Sequence, residues 1–443
     1  SKLILIIMLM TQDWKYYMKH HNFIFVFIAF QIHSLPFSQS LLNGYGFGSS
    51  PSHSASIVGT GGVSISPTFQ LNASTNNPGT WMNLKYTRLN ISYLNDQSMY
   101  DSFNGMNGQT MVGVGQMIVP IKEKYSLGLG LMPYRNQSIS IMGQDSSFVA
   151  FGDTISTQKS LDSYGGINSI FVGLGALLHS SHSIGAKLHF LFGSARQSLK
   201  HNVEGVISIA NGRYNYSGVL MDIYYSSNFE SPINFSSMVQ FAYKPLSYTS
   251  KLYHPFDDTN QSGYHDSEMY SMDFPNQSDI PAASEGRTEN VHAPIKYQFG
   301  LNWEIKDNIS LSGEFSSWEE KGDLSNLSYI LPLNDYIAKR EEVNIGIVRF
   351  APNLLAPKFL DKFVIRSGIH LINYTLENDG SPISDTGISF GLGFKFKATQ
   401  NQIDIAYRTG NRKYNDPLGN ESYQQLMAEF TLGDIWFVKR RSR

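Results

Sequence analysis

The chain has 443 residues, no cysteine, 38 glycines and a formal net charge of −2. Charged residues make up only 16% and apolar ones 41%. An ordinary soluble domain carries about 25% charged residues, and here the difference goes to Gly, Ser, Asn, Tyr and Phe. Past residue 40 no uncharged apolar run approaches the ~18 residues of a spanning helix, which excludes a helical membrane protein. A balance of 34 basic against 36 acidic residues argues against a nucleic-acid partner. Without cysteine there is no disulfide scaffold, thiolate zinc site or cysteine nucleophile.

Residues 1–40 carry an export pattern. Met18, Lys19, His20 and His21 open a basic stretch, Asn22 to Phe30 is apolar, and Pro36 precedes the small residues Ser38 and Ser40. This is the order of a secretory signal peptide, with cleavage expected after Ser40. Met18 is then the expected start, and Ser1 to Tyr17 an over-extended reading frame. No Cys follows the apolar run, so a lipid anchor is not expected.

Leu41 to Thr80 form a separate segment before the first strand. From residue 81 to 443 the chain alternates apolar and polar residues again and again, the period of a strand. Ile295, Tyr297, Phe299, Leu301, Trp303 and Ile305 interleave with Lys296, Gln298, Gly300, Asn302 and Glu304. Ile388, Phe390, Leu392, Phe394 and Phe396 interleave with Ser389, Gly391, Gly393, Lys395 and Lys397. Runs of about 9–12 residues suit a tilted strand that crosses a bilayer. The expected strand centres are Leu89, Gly115, Leu129, Val172, Leu188, Leu220, Phe241, Phe299, Gly313, Ile347, Ser367, Leu392, Ile405 and Ala428. These predict an all-β fold: a transmembrane antiparallel β-barrel of fourteen strands, an even number.

The connections support it. Short ones fall between even and odd strands: Pro120 to Lys124, His179 to His182, Lys306 to Asn308 and Thr399 to Asn401. The odd-to-even connections are expected to be long outer loops, above all Leu246 to His292 and Tyr134 to Gly165. Such loops would be out of place in a compact soluble domain. A sandwich hides its apolar faces in one interior, whereas these strands put Leu, Ile, Phe and Tyr on one face and small or polar residues on the other. Only helices and closed sheets satisfy their backbone within a bilayer.

Parity directs Asp222, Glu304, Glu314 and Asp404 into the lumen, with Lys187, Lys296, Arg366, Lys395, Lys397 and Arg408. They form either a path for an anionic head group or, the reading favoured here, a structural network that fixes the N-terminal segment. No Gly-x-Ser-x-Gly elbow, Walker loop or His-Glu-x-x-His occurs. His179 and His182 share a turn and have no nearby carboxylate to complete a metal site. No enzymatic activity, cofactor or metal is expected.

Three features carry a resemblance. Asn72 to Gly79, NASTNNPG, is similar to an Asn-Pro-Ala motif before a first strand, with Gly79 in place of Ala. Ile309 to Trp318, ISLSGEFSSW, pairs an acidic strand residue with a Trp-containing end. Fourteen strands follow an N-terminal extension of some forty residues. With these the chain resembles the FadL-like long-chain fatty acid transporters of the bacterial outer membrane. Its C-terminus departs from their terminal Phe, ending VKRRSR after Phe437.

The resemblance implies that residues 41–80 form a hatch inside the barrel, pinned at Asn76, Asn77 and Pro78. A hydrophobic substrate binds near the outer loops, the hatch shifts, and substrate leaves sideways through a gap in the wall. Gly128, Gly130 and Pro133 of the third strand can weaken or interrupt a ladder; the two glycines can equally make room for aromatic rings. Lys187, Arg366, Lys395 and Arg408 are the candidate lumen charges. The expected partners are the lipid bilayer and a hydrophobic small molecule, for a monomer. Two other functions remain open: a polar-solute porin, and a non-transporting barrel subunit of a secretion or assembly complex.

Overall fold

The alternating runs become hydrogen-bonded strands in the computed structural model. It describes residues 40–434 except 71, 101–102, 144, 151, 180, 229–231, 268–272, 307, 325–332, 334, 352–358, 379, 381, 397–400 and 415–418. The expected signal peptide up to residue 39, the expected turn at 399–400 and Lys397 lie outside the described residues.

In chain order the strands are β1 (Thr87–Tyr100), β2 (Phe103–Ile121), β3 (Tyr125–Asn136), β4 (Ile139–Met142), β5 (Ser146–Ala150) and β6 (Asp153–His179). They continue with β7 (His182–Val203), β8 (Val206–Asn228), β9 (Ile233–Leu252), β10 (Phe256–Asp258), β11 (Ser284–His292) and β12 (Ile295–Lys306). The last six are β13 (Ile309–Glu319), β14 (Ile337–Arg349), β15 (Phe363–Leu376), β16 (Pro382–Phe396), β17 (Asn401–Lys413) and β18 (Asn420–Asp434). The wall is a closed antiparallel barrel of 14 strands: β1 to β3, β6 to β9 and β12 to β18. β18 pairs with β1 along its whole length, from Thr87 opposite Asp434 to Tyr100 opposite Glu421. Each of the fourteen expected centres lies in a different wall strand.

The two faces of the wall sort as the alternation dictates. Outward residues form an apolar band: Leu392 is 48% exposed, and its cross-strand neighbours Ile365 and Ile405 are 49% and 51% exposed. Leu129, Ile170, Phe190, Phe299 and Phe430 continue it around the cylinder. Phe359, Phe363 and Phe394 cluster beside the β14–β15 connection, with centroids of Phe363 5.2 Å from each of the other two. This is the aromatic edge that borders such a band. A closed barrel with an apolar outer belt belongs in an outer membrane, and that is where this chain resides.

The outer side differs from expectation. β1 and β2 are separated only by residues 101–102, and β7 turns into β8 at Glu204 and Gly205, both left-handed with φ of 51° and 93°. Of the stretches expected as long loops, Tyr134 to Gly165 is largely strand, and Leu246 to His292 is strand only at 246–252, 256–258 and 284–292. β6 has 27 residues, β7 22 and β8 23. β4 and β5 pair with the outer half of β6, β10 with β8 and β11 with β9. Beyond the bilayer both faces of a strand meet water, so both can be polar. The period of two then vanishes from the sequence while the ladder persists. On the opposite side the short turns are as expected: Lys122 and Glu123, and Asn308, take left-handed φ in the β2–β3 and β12–β13 turns.

Candidate functional site

Residues 40–84 lead into β1 and bond to inward-facing side chains around the barrel. A five-residue helix, Ala55–Gly59, starts at the cap Ser54. The Glu429 carboxylate on β18 accepts from Ser54 Oγ at 2.6 Å and from the Ala55 N–H at 2.8 Å. The Glu314 carboxylate on β13 accepts the N–H groups of Ser64, Ile65 and Ser66 at 2.7–2.9 Å. Three donors on one carboxylate form a charge-assisted clamp. Arg366 is 1% exposed, donates from Nε to the Thr68 carbonyl at 3.0 Å and pairs with Asp404. Ser40 donates to Glu421 at 3.1 Å and accepts from Arg412 at 3.0 Å.

The turn at Asn76, Asn77 and Pro78 is bonded on several sides. Asn77 Oδ1 caps the 3-10 turn Pro78–Asn83 by accepting the Gly79 N–H. Its Nδ2 donates to the Ile65 carbonyl and to Ser226 Oγ on β8, at 3.0 and 2.9 Å. Pro78 sits at the first turn, where its missing N–H costs nothing. Its carbonyl accepts from Ser126, and that of Gly79 from Ser183. Asn76 Oδ1 accepts from Lys187 Nζ at 2.7 Å. Trp81, fully buried, lies in a slot floored by glycines. A Cβ at Gly128 would fall on its ring, and one at Gly173 would come within 2.7 Å of it. A Cβ at Gly130 would come within 2.7 Å of the Phe171 ring. Gly128 and Gly130 thus face rings, and both remain in the ladder, opposite Ile118 and Gln116.

The ladder fails further along β3. β2 and β3 pair only from Ile121 opposite Tyr125 to Gly115 opposite Leu131. Beyond that point β3 stays on β6, with a register shift between Pro133 and Arg135, and leaves β2. A cavity of about 570 Å³ lies there, lined among others by Gln109, Met111, Pro133, Arg135 and Asn136.

The freed backbone groups find other partners, as groups held away from water must. Asn136 exchanges both backbone hydrogen bonds with Ser49, at 2.9 and 3.2 Å. The Pro133 carbonyl accepts from His53 Nε2 at 2.7 Å, and Pro133 has no N–H to satisfy. Burial above all holds His53 down at about 4, so its ring is neutral and donates with one nitrogen. On the other side of β2, at the bulge in its pairing with β1, the Val114 N–H turns to Ser92 Oγ. One side-chain bond crosses the gap, from Asn136 Nδ2 to Gln109 Oε1 at 2.9 Å.

The remaining candidate charges are spread around the inner wall. Lys187, on β7, is 2% exposed, Lys395, on β16, 6%, and Arg408, on β17, 9%. Glu304 faces Asn234 and Asp222 pairs with His189. The rings of His179 and His182 lie 6.3 Å apart and tilted in their turn, and His182 bonds the Tyr225 hydroxyl. Sequence reading missed Glu429 and Glu421, although they share the inward parity of β18 with Tyr423 and Gln425. It also missed the Arg340–Glu342 and Arg412–Asp385 pairs.

A closed fourteen-stranded cylinder, apolar outside, with a broken ladder and a chain segment bonded within, defines a FadL-like outer-membrane barrel. Solved structures share that fold. The monoaromatic hydrocarbon channel CymD superposes with a TM-score of 0.55 at 12% identity, over 87% of this chain and 98% of that one. A FadL homologue of Pseudomonas aeruginosa gives 0.54 at 12%, with the same coverage of 87% and 98%. The toluene transporter TbuX of Ralstonia pickettii gives 0.51 at 10%, over 88% and 99%. At such identities the likeness is one of fold. No curated protein matches the sequence. The BamG family model matches residues 18–442, and the chain belongs to the BamG family.

Proposed function

We propose that this barrel is a passive transporter of hydrophobic molecules, which leave its lumen sideways through the gap between β2 and β3. The observation that carries the reading is the ladder that stops at Gly115 and Leu131, beside a cavity bounded by Pro133 and Asn136. A lipophilic molecule gains about 0.8 kcal/mol for each CH₂ it buries, so a lateral exit spares it a wet path. Residues 41–80 act as the hatch, turning on the segment pinned at Asn76, Asn77 and Pro78. Ser49 and His53 cover the gap from within and release it when the hatch shifts. The printed names of the neighbours, a monoaromatic hydrocarbon channel and a toluene transporter, favour small apolar compounds. Long-chain fatty acids are the larger members of the same substrate class. The barrel works as a monomer, without an enzymatic step.

A second reading has its own observation. The carboxylates of Glu314 and Glu429 hold backbone N–H groups of the N-terminal segment, which favours a fixed filling over a moving one. The barrel would then be a non-transporting subunit of a secretion or assembly complex.

The absence of cysteine permits a direct test. Gln109→Cys and Asn136→Cys together place two thiols across the gap, to be joined by a short bifunctional reagent. Uptake of toluene and of a long-chain fatty acid by cells that make the barrel should each fall at least tenfold on cross-linking and return on reduction. Uptake of both that ignores the cross-link overturns the lateral exit. Uptake of neither by the unlinked protein, with a partner that co-purifies, establishes the second reading.

A further inference from the structure

Outward of Leu131 the wall has two strand edges that face each other without pairing. On one side is the outer half of β2, Phe103 to Thr110, whose other edge is taken by β1. On the other are β4 and β5, which pair with β6 alone. Were the β2–β3 register carried on from Gly115 opposite Leu131, Asn107 would stand opposite Ile139 and Asn104 opposite Met142.

The ladder to β6 shows which groups are open. Gln137 and Gly143 donate their N–H groups to the Gly165 and Lys159 carbonyls of β6. Backbone groups alternate sides along a strand. Ser140 and Met142, at the even positions between, therefore turn N–H and C=O the other way, toward β2. Among the described residues neither finds a backbone partner there.

Proteins commonly blunt an open edge with Lys, Pro or an inward charge. Phe103 to Thr110 hold no charged residue and no Pro, and residues 139–150 hold only Asp145 and no Pro. Met142 and Val149 are 69% and 73% exposed, so the second edge also carries bare apolar surface. Two unguarded edges that face each other are made to be covered.

The slot between them is one strand wide. Two strands with a single strand missing between them stand about 9.5 Å apart. At the inner end Asn136 Nδ2 donates to Gln109 Oε1 at 2.9 Å, so two side chains and one hydrogen bond close a span of that order. A segment seated in the slot pairs on both of its sides. The edge strand of a second copy has only one side free, whereas a lone extended segment has two.

We propose that an extended, uncharged segment of a partner polypeptide adds as a strand between β2 and β4, with β5 lengthening the ladder on one side. Main-chain bonds hold such a strand and flanking side chains select it. The slot begins at Gln109 and Asn136, where the proposed lateral exit ends, and stands whether or not the barrel transports.

Hydrogen exchange resolved to single amides tests it, on the full-length barrel in outer membranes of the cells that make it and on the same protein purified to a single chain in detergent. The N–H groups of Ser140 and Met142 should exchange at least tenfold more slowly in the membranes, while Ile141, which turns to β6, is slow in both. Met142→Pro removes a donor that faces the slot and spares the ladder to β6. It should return Ser140 in the membranes to within twofold of its rate in the purified protein. Equal wild-type rates in the two settings overturn the proposal. Protection of Ser140 that survives Met142→Pro marks a lipid cover, and protection of the purified barrel that grows with its own concentration marks a second copy; either overturns it as well. Should Met142→Pro fail to fold, Ser140→Pro, read at Met142, decides in its place.

Discussion

Two seams of the same wall behave differently. Between β15 and β16 the ladder runs without a shift through thirteen pairs, from Phe363 opposite Phe394 to Thr375 opposite Pro382. Between β2 and β3 it has seven, and stops while both strands go on. The first seam is made by strand residues alone. The second borrows Ser49 and His53 from a segment some eighty residues away in the chain. A membrane wall can thus drop rungs where another piece of the same chain supplies the missing donors and acceptors. The open seam is therefore a joint product of wall and lining, and the closed seam is not.

The strongest way to break this contrast is to delete residues 41–74. The barrel should still insert, because the continuous seams do not use that segment, but planar-bilayer recordings should show small-ion conductance that the intact protein lacks. Asn76→Ala with Asn77→Ala should give a milder leak. Equal conductance of deleted and intact barrels would make the segment a bystander and return the polar-solute porin to contention. Next in size is the closed seam itself. Leu392→Arg should cost about 2–4 kcal/mol if it lies near the midplane. Lys395→Gln, on the lumen face three residues on, should cost much less; equal losses in a refolding assay would show the faces misassigned. At the open seam Gly128→Val drives a side chain into Trp81 and should cost about 1–3 kcal/mol, in part recovered by Trp81→Leu. The smallest effect is expected at Gly313, where an added Cβ meets nothing within 4 Å. Gly313→Val should stay within about 0.5 kcal/mol of wild type.

The parts of the fold that face lipid on one side were legible, because lipid enforces apolar residues at every second position. Ile388, Phe390 and Leu392 announce β16 that way, and Gly393 and Lys395 mark its other face. The outer half of β6 gave no such sign: Thr154, Ser156, Thr157 and Gln158 are polar on both faces, and only the backbone ladder makes them a strand. At the lining, Asn77 and Pro78 were visible as a turn from their chemistry alone. Glu429 was not, since its role depends on Ser54 and Ala55, which lie 375 and 374 residues away. Glycine spacing pointed at β3 as the irregular strand, but Gly128 and Gly130 face rings within the ladder, and the ladder to β2 ends at Leu131, just before Pro133. A single sequence does not distinguish a glycine that makes room from one that interrupts.

The contacts of Glu429 and Glu421 set an order of assembly. Both residues lie on β18, the last of the described strands, and they hold Ser54, Ala55 and Ser40, which are among the first of the described residues. Loops closed over so many residues form late. The same strand also zips to β1 and shuts the cylinder. Sealing the wall and fastening its contents are therefore one event. A chain cut short before β18 loses the partners that this strand gives Ser40, Ser54 and Ala55 and leaves β1 and β17 as open edges, so both faults appear together.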